Sequence, residues 1–165
     1  MEFDNNLAKE SKKINRNNLE NIEKFLQVYS QLLSENHVFI LQLKMWLIEG
    51  LNRLPNGQSK EDILLKKLKL IKQVKNGLKN FESTYSYLNG VLNLEMAETI
   101  LQKLYQIFGG AENFMNVDPY QLLEDAEKSV KIAEIVFKNE DAKSQDHCLK
   151  MKLAELKMSL STFKT

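Results

Sequence analysis

Four sets of side chains in this 165-residue sequence have the types needed for chemistry: His37, His147 and Cys148; the acids Glu95/Glu98 and Glu124/Asp125/Glu127; Gly109-Gly110; and a run of lysines. A metal site requires several His, Cys or carboxylate ligands that converge, and no HxxxH, CxxC or ExxH spacing is present. His147 and Cys148 are adjacent, so on a helix they project about 100° apart and do not form a normal chelating pair. No metal and no cofactor is expected.

A catalytic thiol needs a base and an orienting group on a rigid cleft. Around Cys148 the sequence supplies Lys and Asp of a helix surface, with His37 as its one remote partner. General acid–base work needs two carboxylates in different environments across a pocket, whereas acids close to a helix start are accounted for by the helix dipole. Gly109-Gly110 follows a helical pattern and lacks the Gly-Lys-Ser/Thr ending of a phosphate loop, so it reads as a helix stop. No catalytic residue is assigned, and an enzyme is the least supported class.

The lysines Lys60, Lys66, Lys67, Lys69, Lys72, Lys75 and Lys79 offer the clearest electrostatic surface. On a helical wheel the apolar seam centres near Leu78, with Lys69, Lys72 and Lys79 largely opposite. A contact with DNA, an acidic lipid surface or an acidic filament is one expectation from this stripe; a solvated face is the default. The net charge of +1 conceals a segregation: residues 60–94 carry seven Lys against three acids, while residues 95–127 carry seven acids against Lys103 alone. Arg16 and Arg53 are the only arginines, so the bidentate grips that read guanine or clamp phosphate are scarce.

The elements that must position these groups are helical throughout. Leu19, Ile22, Leu26, Tyr29, Leu33, Asn36, Ile40, Leu43, Leu47, Gly50 and Leu54 alternate steps of three and four. That is a heptad seam. Beside it Phe25, Leu32, Phe39 and Trp46 repeat every seven residues, giving a face too wide for a two-stranded coiled coil. Asn36 and Gly50 interrupt the seam; a buried Asn fixes register or partner choice, and Gly lets another backbone approach. The fold class expected is all-α: an elongated antiparallel bundle of four or five helices with coiled-coil-like heptad packing.

The expected organisation is a flexible arm over 1–16 and a single bundle domain over 17–165, with helices at about 18–54, 60–89, 92–108, 119–138 and 142–163. Asn17 or Asn18 caps the first helix, Pro55-Asn56-Gly57 ends it, and Ser59 opens the second with Asp62 in an approximate capping box. Leu64, Ile71, Val74, Leu78, Phe81, Tyr85 and Leu88 continue a seam whose one charged member is Lys67, and Asn89-Gly90 is read as its stop or kink. Phe114 and Met115 lie in a loop and either plug the bundle end or contact a partner. Asp118-Pro119-Tyr120-Gln121 is the strongest helix start in the chain. Near Asn139 the periodicity lapses, and either the chain turns back or one long helix shifts register.

The single cysteine forms no internal disulfide, and residues 1–16 hold no apolar run of the secretory kind, so an intracellular setting, cytoplasmic or nuclear, is expected. No charge-free apolar stretch reaches the length of a membrane span. These features favour a non-enzymatic helical adaptor or scaffold subunit that binds another helical protein or itself within a larger assembly. Phe25, Leu32, Asn36, Phe39, Trp46 and Gly50 are the candidate partner-binding residues. The alternative is an electrostatic binder of nucleic acid or anionic membrane through Lys69, Lys72 and Lys79; a carrier with a cavity between helices is a third class.

Overall fold

A computed structural model describes residue 9 and residues 12–54, 60–79, 81, 86–109, 118–138 and 147–163, the side chains of Lys60 and His147 excepted. Within these residues the fold is all-α, and six helices replace the expected four or five: α1 (Leu19–Tyr29), α2 (Val38–Leu51), α3 (Lys60–Leu78), α4 (Tyr87–Phe108), α5 (Pro119–Lys138) and α6 (His147–Thr162). The helix stop Pro55-Asn56-Gly57, the Ser59 cap, the loop with Phe114 and Met115, Tyr85, and the lapse around Asn139 lie outside the described residues. Contacts divide the chain into two units, Met1–Phe81 and Glu82–Thr165.

In the first unit, the helix expected over 18–54 is broken at Ser30–His37. Asn18 caps α1 by accepting the Asn21 N–H at 3.0 Å. After Tyr29 the chain turns through Ser34, Glu35 and Asn36, and the His37 Nδ1 accepts the Phe39 N–H at 3.2 Å to start α2. Three contacts fix the direction of the two helices: Leu19 meets Gly50, Tyr29 meets Phe39, and Arg53 Nη1 donates to Asn17 Oδ1 at 2.9 Å. Residue numbers rise on one side as they fall on the other, so α1 and α2 form an antiparallel hairpin. The seam survives the break, because Ile22, Ile40, Leu43, Leu47 and Gly50 are buried from opposite sides of that hairpin.

Helix α2 is the core of this unit. Of its 14 residues only Val38, Gln42, Met45 and Glu49 escape burial, at steps of four, three and four. A helix apolar on nearly all sides must be covered on nearly all sides. Helix α1 covers one side, and α3 packs antiparallel on another, its Gly77 set against Leu41 and Asn36 at the start of α2. Ile71 and Val74 are fully buried, and the seam lysine Lys67 is buried with them. An ion pair between Lys66 and Glu23 links α3 to α1. Of the expected arm, Ile14 is buried and the Arg16 guanidinium stands 4.2 Å from the Trp46 ring centroid.

The second boundary correction falls between α3 and α4. Helix α3 ends at Leu78 and not at Asn89, and Phe81 donates its N–H to Leu78 O in a turn. Ser86 then caps α4 by accepting the Asn89 N–H at 3.2 Å. Asn89-Gly90 therefore lies inside a helix, where Gly90 admits Val136 and Phe137 of α5. Since α4 begins beside the end of α5, the two are antiparallel. Asp118 accepts the Tyr120 N–H at 2.9 Å with Pro119 at the first helical position, the start read from sequence.

Helix α6 runs parallel to α4. Lys152 meets Glu95 and Phe163 meets Tyr105, at nearly equal sequence offsets. Lys157 also pairs with Glu134 of α5 at 2.7 Å. In one continuous helix those two residues would lie roughly 35 Å apart at 1.5 Å per residue, so the chain turns back between α5 and α6. Leu153, Leu156 and Leu160 bury the inner face of α6 against a core that includes Leu101, Leu104, Ala126, Ala133 and Phe137 of the same unit.

Candidate functional site

The acids that sequence offers for proton transfer are engaged structurally. Lys152 Nζ lies 2.9 Å from Glu95 Oε1 and 2.6 Å from Glu98 Oε2, so both carboxylates, one helical turn apart on α4, close on a single ammonium from α6. Burial is the largest single influence on that ammonium and disfavours its charge, but hydrogen bonds to Glu98 and Glu95 and the charge of both carboxylates together outweigh it. Its pKa is raised above the usual 10.5. Glu124 pairs with Lys128 at 2.8 Å across one exposed turn, and Asp125 accepts from Gln121 Nε2 at 3.2 Å. Among the described residues no three His, Cys, Asp or Glu side chains gather in the manner of a metal site. Cys148 is exposed.

The six candidate partner-binding residues do not share one open face. Phe39, Trp46 and Gly50 are buried; Phe39 packs edge-on against Tyr29, with ring centroids 5.1 Å apart, and Phe25 stacks on Tyr29 at half-burial. Leu32 is 65% exposed and Asn36 is exposed, both in the turn between α1 and α2. Breaking the long helix scatters the stripe, because its seven-residue repeat aligns only where the helix is continuous. The electrostatic candidates fare differently. Lys69, Lys72 and Lys79 are all exposed and carry no ion pair among the described residues, whereas Lys66 and Lys67 of the same run are paired and buried respectively.

Two features escaped the sequence reading. Lys44 is buried in α2, and that burial lowers its pKa from 10.5, with the carboxylate of Glu35 partly offsetting the effect. The signal was present as a lysine flanked by Leu43, Met45 and Trp46 in a largely apolar helix. The other feature is an aromatic cluster at one end of the second unit: Tyr105 and Phe108 at the end of α4 meet Phe163, with ring centroids 4.9 and 5.5 Å apart. Phe108 is nevertheless 65% exposed and Tyr105 53%. Beside them Gln106 keeps a buried Oε1 with no hydrogen-bond partner among the described residues. Phe108 and Phe163 stand near the ends of the segments expected over 92–108 and 142–163, which gave no sign that the two ends coincide.

No family model, curated protein or solved structure matches the chain.

Proposed function

We propose that the chain is a non-enzymatic helical adaptor or scaffold subunit that docks on other proteins within a larger assembly. The observation that carries this is the Tyr105–Phe108–Phe163 cluster, in which two large rings stay mostly in solvent although a third packs on them. Aromatic side chains supply large contact area at low entropic cost and are enriched at interface centres. Glu95 and Glu98 are occupied in an ion pair that fastens α6 to α4, which supports a structural use for them. The test is photo-crosslinking in the native cell from position 108, with Ile135 as the control site because it is 50% exposed and lies at the opposite end of the α4–α5 hairpin, where Val136 meets Gly90. A discrete adduct at 108 and none at 135 supports the reading; labelling that is equal at both positions, or absent at 108, overturns it.

A second reading has its own observation. Lys69, Lys72 and Lys79 stand exposed on or just beyond α3, which supports binding to an anionic surface, nucleic acid or lipid, in a salt-dependent way. Replacing all three by Glu should abolish such binding with helix content unchanged.

A further inference from the structure

We propose that the end of the first unit formed by the α1–α2 turn and the end of α3 is an insertion tip for an anionic lipid bilayer. This deepens the second reading and rests on it. Tyr29 and Phe39 bring the end of α1 to the start of α2, and Gly77 against Asn36 and Leu41 brings the end of α3 to the same place. Four apolar side chains are collected there. Val28, Leu32, Val38 and Phe81 are each about half exposed or more.

Around the tip stand the exposed lysines Lys24, Lys72 and Lys79, each within about two helical turns of it. Over the same two turns the acids among the described residues are Glu35, whose carboxylate acts on Lys44, and Glu23, which is paired with Lys66. An apolar point with a basic collar is the arrangement that couples burial at the headgroup boundary to attraction by anionic lipid. A protein partner fits the tip less well. A specific protein interface takes roughly 20–30 residues a side, whereas insertion about 5–10 Å into a bilayer surface is served by a few apolar side chains.

The full chain is mixed with sedimentable vesicles of phosphatidylcholine alone, or of phosphatidylcholine with phosphatidylserine, at low and high salt. Two variants accompany it, Leu32→Asp/Phe81→Asp and Lys72→Glu/Lys79→Glu, with circular dichroism confirming their helix content. The expected result is sedimentation with the serine-lipid vesicles only, weakened by salt, and weakened about tenfold or more by either variant. Full binding by Leu32→Asp/Phe81→Asp, with loss in Lys72→Glu/Lys79→Glu, overturns insertion and leaves the electrostatic reading standing. A chain that ignores vesicles but binds DNA in a salt-sensitive way likewise overturns insertion alone. Binding to neither anionic vesicles nor DNA overturns both.

Discussion

Gly90 of α4 lies so close to Val136 of α5 that a Cβ on the glycine would stand 2.6 Å from Val136 Cγ1 and 3.0 Å from its Cβ. Valine is branched at Cβ and stiff at χ1, so it has little room to yield, and behind it the ring of Phe137 would stand 3.2 Å away. The glycine is therefore what sets the spacing of the α4–α5 hairpin. Gly90→Ala should destabilise the second unit by about 1–3 kcal/mol through overpacking. At Gly50 the obstructing atoms belong to the far end of the flexible Leu19 side chain. Gly50→Ala should thus be close to neutral, or stabilising by up to about 1 kcal/mol through helix propensity. Urea denaturation of both variants checks the contrast; equal losses would contradict it.

The clamp of Glu95 and Glu98 on Lys152 predicts a pH dependence with a definite sign. The folded-state pKa of Lys152 is raised above 10.5, so its stabilisation is fully present below the unfolded value. It is lost as pH rises through the folded value. Lys152→Met should cost about 1.5–3 kcal/mol at neutral pH, the range for hydrogen bonds to charged groups, because two partly buried carboxylates are left facing one another. The variant should also lack the part of the alkaline loss that Lys152 supplies. Thermal melts on either side of pH 10.5 measure both effects.

Residues that sequence grouped on a single stripe should separate sharply on mutation. Phe39 is 7% exposed and packed on Tyr29, so Phe39→Ala should cost about 3–5 kcal/mol. Leu32→Ala, in the exposed turn, should stay within about 0.5 kcal/mol. Denaturation midpoints of the two variants decide between this and a shared role.

How legible the chain was depended on whether a signal was local or relational. Asp118-Pro119 marks the start of α5 because a cap and a proline act on their own turn. Seam positions such as Ile40, Leu43 and Ile71 are buried as read, since a heptad reports which side of a helix is apolar. The same pattern is silent on continuity. Leu19 to Leu54 keeps its spacing across Ser30–His37, yet folds back there, and a hairpin buries those positions as well as one long helix does. The polar cluster Ser30, Ser34, Glu35, Asn36 and His37 was the available sign of a turn. Asn89-Gly90 misled for the opposite reason: glycine there serves a neighbouring helix, a fact of packing that no local rule contains. The Lys152 clamp and the Tyr105–Phe163 contact depend on α6 lying parallel to α4, and periodicity does not encode direction.

The chain contains one tryptophan, and Trp46 lies in α2, buried beneath the Arg16 guanidinium. Its emission is consequently a private optical reporter of the first unit. Selective excitation of that indole follows the melting of Met1–Phe81 alone, while far-ultraviolet dichroism sums over the helices of both units. Superimposable curves would mark cooperative unfolding of the whole chain, and displaced curves would resolve two independently melting halves without a label of any kind.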